Sequence, residues 1–301
     1  MISEGYFYNP DIRPNCKEGE YGINPYNNKE KINIYYCRCN NLKSMKKVNL
    51  RYYSIFKINK DIPVSVLLKI INLFIFESYN AKRITEKLII EYNNNINNKT
   101  IEKILFNIRK IIYIYMEDKY NNTLIGGLNP LNYPINVAID ETLLLHSSTN
   151  EQIWIIGGIE TKTRKVRLIL AKDRTRNTIE SFVNNNFQEG THFIHDDWPS
   201  YNFLDNNMNF THEIHRLGGG DFGFGRHSTS HIENYWSQYK KLLTRIYGMV
   251  PKKNYTLFFR EIKFRINLGY KTHNEAKDII KNIFKKIYSL NNFIINEIED
   301  L

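Results

Sequence analysis

The sequence predicts a two-part chain whose second part is an α/β domain built on a mixed sheet. Three observations carry this expectation. Residues 61–118 repeat apolar side chains at spacings of three and four, the period of a helix face. Residues 135–174 instead form three short β-like runs joined by polar links. Beyond them helical and strand patterns alternate, giving the order β-β-β-α-β-α-β-α.

Residues 1–50 are rich in Asn, Lys, Gly and Tyr and show no helical period. They hold the three cysteines of the chain, Cys16, Cys37 and Cys39. An odd number confined to one end argues against a disulfide framework. The three are candidate zinc ligands, but three thiolates fall one short of a four-ligand structural site. The "CRC" spacing is also tighter than a zinc knuckle uses. A degenerate ribbon-like segment is favoured over a working Zn²⁺ site.

Residues 51–120 predict a helix-turn-helix-like domain. The first helix opens at "DIPVSVLLKIINLFIF", where Asp61 can cap and Pro63 suits a first turn. Its apolar run, Val64–Phe76, contains Lys69 and is too short to span a bilayer. The second helix is Ala81–Tyr92 and the third Lys99–Asp118. In the third, Ile101, Ile104, Leu105, Ile108, Ile111 and Ile112 make the apolar stripe. Lys103, Arg109 and Lys110 fall largely off it, so they are candidate DNA contacts; a plain helical bundle with a solvated basic face fits this segment equally. Residues 121–134, with two Gly and two Pro, read as a linker.

Residues 135–270 form the α/β part. The strands are Ile135–Leu145, Glu151–Thr161 and Lys165–Arg174, followed by a helix at Arg176–Phe187. A short strand Thr191–Asp197, a helix from Pro199, a strand Phe210–Arg216 and a Gly-rich loop then lead into "HSTSHIENYWSQYKK". Three antiparallel strands followed by αβ units is the order of the ribonuclease-H-like fold, an analogy that does not by itself fix function. The glycines Gly218–Gly225 lack the order of a phosphate-binding loop and read as a connection. Residues 271–301 close the chain with a helix.

The composition excludes other classes. With 42% hydrophobic and 14% aromatic residues the chain is not intrinsically disordered. The N-terminus lacks the apolar core of a signal peptide, so an intracellular protein is expected, nuclear in a eukaryote. The net charge of +11 suggests a polyanionic partner, most simply nucleic acid. Lys and Arg outnumber acids 20 to 12 through residue 130 and 22 to 19 thereafter, so the excess is mostly N-terminal.

The acidic residues acquire meaning from these positions. Asp140 lies within the first strand, where its neighbour Glu141 must point to the opposite face. Asp196 ends the fourth strand, which is adjacent to the first in a ribonuclease-H-like sheet. Glu233 opens the last helix of the domain. Three carboxylates from two strands and a helix would repel one another unless a cation sits among them. Mg²⁺ prefers such hard oxygen ligands, and two ions can serve the attacking and leaving oxygens of phosphodiester chemistry. Singly, each acid is more simply a turn, cap or helix-dipole residue; their joint placement is what singles them out.

"AIDET", "WIIGGIETKTRKVRLILAKDRTRNTI", "FIHDDWPSYNFL" and "HIENYWSQYKKLL" together make this part of the chain, roughly Ile135–Leu268, resemble the DDE transposases of the Merlin superfamily and their bacterial insertion-sequence relatives. The resemblance implies that Asp140, Asp196 and Glu233 are the catalytic acids and ligands of two Mg²⁺ (or Mn²⁺) ions. It makes Asp197 the weaker candidate beside Asp196. It implies that Lys240, two turns beyond Glu233 on the same helix face, contacts DNA phosphate, with Lys241 next to it. Where many relatives have Asn, this chain has Ser230. The implied activity is cleavage at the ends of a DNA element and joining of the 3′-hydroxyl to target DNA. The implied partners are double-stranded DNA, as terminal inverted repeats and target, and a second copy of the chain. The alternatives are a decayed copy that binds DNA without cutting, and a nuclease that does not transpose. Trp236 reads as packing behind the helix more readily than as a base platform, His231 as a helix-start residue, and His195 as pointing away from the acids.

Overall fold

The computed structural model describes residues 21–27, 33–39, 48–49, 59, 61–93, 95–120, 123–144, 152–215, 228–248, 255–269 and 272–289. Cys16 and the Gly-rich loop lie outside them. In chain order the elements are β1 (Tyr21–Asn27), β2 (Asn33–Cys39), β3 (Val48–Asn49), α1 (Val64–Ile75), α2 (Ala81–Tyr92) and α3 (Asn98–Tyr120). There follow β4 (Ile125–Gly126), β5 (Asn136–Leu143), β6 (Trp154–Glu160), β7 (Val166–Ala171), α4 (Arg176–Asn186), β8 (Phe187–Gln188), β9 (His192–His195) and β10 (Thr211–Ile214). The last three are α5 (Ser230–Tyr247), α6 (Tyr255–Gly269) and α7 (His273–Ser289). Two compact units divide the chain: Met1–Met116 with Lys263–Leu301, and Glu117–Ile262.

In the first unit β1, β2 and β3 form an antiparallel sheet in that order, and Cys37 and Cys39 lie on β2. α1 starts after Pro63 without a side-chain cap, so Asp61 does not cap it as expected; its backbone N–H bonds to Asn59 Oδ1 instead. α2 is capped by Asn80, which accepts the Arg83 N–H, and ends on Asn93 in the left-handed region. The apolar stripe of α3, from Ile101 to Ile112, is buried as its period requires.

Two basic residues of α3 depart from expectation. Lys103 is exposed, but Arg109 and Lys110 are buried. The Arg109 guanidinium lies 5.1 Å from the centre of the Phe74 ring, and Lys110 Nζ lies 5.0 Å from that of Phe106. Long aliphatic stems and an aromatic face let both cations sit on the helix's inner side. Arg265 of α6 joins them, 4.3 Å from the Phe74 ring and 2.9 Å from the Ile75 carbonyl oxygen. It thereby satisfies an orphan carbonyl at the end of α1.

The second unit is a mixed α/β domain. Its five-stranded sheet has the order β10-β9-β5-β6-β7. β5, β6 and β7 are antiparallel neighbours; β9 runs parallel to β5, and β10 parallel to β9. This matches the strand order expected and is consistent with a ribonuclease-H-like fold. The expected helix from Pro199 is instead two 3-10 turns, Pro199–Tyr201 and Leu204–Asn206. Here Tyr201, Phe203 and Leu204 are all buried, a spacing too tight for one face of an α-helix.

The segment expected as a linker is part of this unit. Within it β4 pairs in parallel with β8. The N–H of Gly126 donates to the buried Glu160 carboxylate at 2.9 Å, and that of Gly127 to Thr191 Oγ1 at 2.7 Å. Both glycines have positive φ, 78° and 83°, which a side chain would strain.

Strand alternation assigns the two faces of the sheet. Val137 and Ile139 of β5 and Ile156 of β6 pack with Ile179, Phe182 and Val183 of α4. The rings of Phe182, Phe187, Phe193 and Phe210 follow edge to face, with successive centroids 5.4, 5.1 and 5.4 Å apart. α5 packs on β5 and β6 through the stripe Ile232, Tyr235, Trp236, Tyr239, Leu243 and Ile246. Gly157 makes that approach possible. A Cβ there would stand 2.5 Å from Leu168 and 2.6 Å from the Trp236 ring. Gly157→Ala is therefore expected to cost about 1–3 kcal/mol by overpacking, read as a lower urea midpoint. A loss within about 0.5 kcal/mol would mean that Trp236 does not press on this position.

Candidate active site

β5 carries two acids, and the pleat sends them to opposite faces. Asp140 is paired across the ladder with Gly157, so the ring that fills the glycine's space can reach it. Trp236 Nε1–H donates to Asp140 Oδ2 at 2.9 Å. Trp236 is thus packing residue and hydrogen-bond donor at once, a role the sequence reading did not assign. Burial raises the Asp140 carboxyl from 3.8 to about 6; the bonds from the Glu141 backbone and Trp236 oppose this, and the charges of Asp196 and Glu233 add to it. The charges of Asp196 and Glu233 thus both reach Asp140.

Asp196 and Glu233 occupy wetter positions. Asp196 follows β9 and is exposed, with its Oδ1 accepting the Trp198 backbone N–H at 3.3 Å. Asp197 beside it is exposed too. Glu233 sits in the first turn of α5, on its exposed side, and accepts the Thr229 hydroxyl at 2.8 Å. One oxygen of each acid is therefore held by a protein donor. Lys240 and Lys241 are exposed further along α5, while Trp236 and Leu243 are buried on its other side. The Ser230 N–H bonds to Ser228 Oγ, an N-terminal turn contact. His231 Nδ1 meets Arg164 at 2.6 Å.

Glu141 is the acid that sequence reasoning set aside. It faces Tyr201, whose hydroxyl donates to it, and Arg174, 3.9 Å away. Burial raises it from 4.5 to about 7; the Tyr201 bond and Arg174 lower it, and the charges of Asp140 and Asp196 raise it. The motifs "AKDR" and "DDWPSY" already contained both partners. Behind Asp196, His195 points inward as expected. Its Nδ1 donates to the Asp196 carbonyl oxygen at 2.6 Å, and its Nε2 lies 3.0 Å from His212 Nδ1. Its ring stacks on Tyr201 at 4.5 Å. Burial is the main reason its pKa is lowered.

Hard carboxylate oxygens are the donor set a divalent cation such as Mg²⁺ uses, and the mutual repulsion at Asp140 is what such a cation would relieve. As they stand, no three His, Cys, Asp or Glu side chains among the described residues close into a ready-made cage.

The raised carboxyls have a consequence for stability. A carboxyl with a folded pKa above its unfolded value favours the fold while protonated. That contribution is whole below the unfolded pKa and is lost as pH rises through the folded one. For Asp140 the window runs from 3.8 to about 6, and for Glu141 from 4.5 to about 7. Metal-free protein should lose stability across it. Asp140→Asn should remove its share, on the order of 1–3 kcal/mol, and so be the more stable protein at pH above the window. Urea titrations on either side of the window measure this; parallel pH profiles for the two proteins would refute it.

Comparison with known proteins adds to this geometry. Residues 140–267 match the family described as the ISXO2-like transposase domain. The match opens on Asp140 and includes Asp196 and Glu233. No curated protein matches the chain. Among solved structures, the catalytic core of HTLV-2 integrase in complex with magnesium, in its trimeric form, is 16% identical, with a TM-score of 0.31 over 46% of this chain and 85% of that one. The simian T-cell lymphotropic virus intasome, in complex with the PP2A regulatory subunit B56 gamma, is 13% identical, with a TM-score of 0.30 over 74% of this chain and 68% of that one. These structural likenesses are loose; the strand order β10-β9-β5-β6-β7 is what defines the fold. Residues 140–267 thus match a transposase domain family, in agreement with the resemblance carried by the sequence motifs.

Proposed function

We propose that the chain is a DNA transposase that cuts at the ends of a DNA element and joins the freed 3′-hydroxyl to target DNA. The observation that carries this reading is the match of residues 140–267 to the transposase domain, a segment that holds Asp140, Asp196 and Glu233, each with one oxygen on a protein donor. Asp140, Asp196 and Glu233 are the catalytic acids and would hold the divalent ions. Bound there, two such ions would activate water and stabilise the leaving oxygen.

The protein's own contribution is orientation. Trp236 fixes Oδ2 of Asp140, the Trp198 N–H fixes Oδ1 of Asp196, and Thr229 fixes Oε1 of Glu233. Such outer bonds set the direction of the remaining oxygens. Lys240 and Lys241, exposed on the same helix as Glu233, take DNA phosphates and steer the strand to the acids. Lys103 is a further phosphate contact in the other unit; Arg109 and Lys110, being buried, act there through the packing of α3. Cutting two ends calls for two copies of the chain on DNA.

A second reading, a decayed copy that binds DNA without cutting, is favoured by the cysteine count, one short of a ribbon. A labelled DNA carrying the element's end separates the two. The transposase should cleave it with Mg²⁺ or Mn²⁺. Asp140→Asn should lower cleavage by on the order of a hundredfold or more while retaining DNA affinity. Equal inertness of wild type and variant would establish the binding-only reading. Trp236→Phe, which keeps the ring and loses the N–H, should need about tenfold more Mg²⁺ for half-maximal cleavage; an unchanged requirement would remove Trp236 from the site.

A further inference from the structure

Beside Asp196, on the Glu141 side of the sheet, lies a cleft that the proposed chemistry leaves without a role. Its volume is about 430 Å³, and its lining includes Trp154, Lys172, Asp173, Arg174, Trp198 and Ser200. Trp154 begins β6, Lys172 to Arg174 follow β7, and Trp198 follows β9. The Arg174 guanidinium is 4.6 Å from the centre of the Trp154 ring and 3.9 Å from that of Trp198. Ser200 Oγ donates to the Arg174 carbonyl oxygen at 3.0 Å, which fixes the backbone beneath this stack. Trp198 nevertheless keeps 36% of its surface in water. Lys172 is exposed.

The one acid of this lining is engaged locally. Asp173 Oδ1 accepts the Thr175 N–H at 3.0 Å and the hydroxyls of Thr175 and Thr178 at 2.8 and 2.6 Å. The aromatic and basic lining is two indoles, the exposed Lys172, and Arg174, whose guanidinium also faces Glu141 at 3.9 Å. An indole offers its face to a base, and a lysine and an arginine fork offer their N–H groups to a phosphate. In a paired duplex the base faces are already stacked, so only an unpaired nucleotide presents both parts. The location suits such a ligand. Trp198 lies two residues beyond Asp196 and its N–H donates to Asp196 Oδ1 at 3.3 Å, so the cleft adjoins that acid. Trp154 opposes Leu143, which like Glu141 faces away from Asp140.

We propose that the Trp154–Arg174–Trp198 cleft binds an unpaired nucleotide of the DNA strand next to the scissile phosphate, with the base on Trp198 and the phosphate on Lys172 and Arg174. The inference rests on the DNA-cutting reading for its place beside the acids.

Anisotropy of a labelled duplex bearing a short unpaired thymidine overhang, against the same duplex blunt, tests it on the full chain in EDTA. The wild type should favour the overhang. Trp198→Ala should weaken overhang binding about tenfold and leave blunt-duplex affinity unchanged, and Trp198→Phe should recover most of the loss. Lys172→Ala should lower the salt slope of overhang binding by about one. Equal wild-type affinity for both DNAs, or a preference retained in Trp198→Ala, would overturn the proposal. Binding is read without metal, so the two readings can fail separately. Overhang preference without Mg²⁺-dependent cleavage keeps the cleft and sinks the transposase. Cleavage without overhang preference does the reverse.

Discussion

The contact between Trp236 and β5–β6 organises the second unit. The indole occupies space that only a glycine at 157 leaves open, and from there its N–H reaches Asp140 on the neighbouring strand. Burial of the ring holds α5 to the sheet; the hydrogen bond ties the same helix to an acid whose environment disfavours its charge. Because Trp236 and Glu233 are one turn apart on α5, seating the ring also fixes the turn that carries Glu233. Packing and site geometry are here a single contact.

β5 shows how one strand can serve two environments. Asp140 meets α5, while Glu141 meets Tyr201 and Arg174, yet each feels the other's charge. Tyr201 links Glu141 to the stacked ring of His195, which in turn holds the Asp196 backbone carbonyl. The layer behind the acids is polar and hydrogen-bonded, and it fixes backbone and side chains on both strands.

Much of this was legible in the sequence. β5, β6 and β7 were legible as short β-like runs joined by polar links, and the stripe of α3 follows from its period, because burial on one helix face imposes it. Asp140, Asp196 and Glu233 were singled out from their places in the strand order and from motif resemblance, and the matched segment contains all three. What was missed has physical causes. β4 is two residues long, too short to show a period, so a segment tied down by Glu160 and Thr191 looked like a linker. Arg109 and Lys110 looked solvent-facing because a charge count cannot register a neighbouring ring. Glu141 was set aside because alternation turned it away from Asp140, and alternation is silent about Tyr201 on the far side.

The parallel pairing of β9 with β5 bears on the order in which the molecule is made. The β5–β7 meander closes over short sequence distances and can form early. Asp196 arrives only after the α4 crossover has brought β9 back to β5, a non-local and slower event. Glu233 and Trp236 come later still, on α5. A growing chain on the ribosome therefore holds the β5–β7 meander long before α5, and Trp236 can seat on Gly157 only when that helix has emerged. Until then the Asp140 side of the meander lacks its cover.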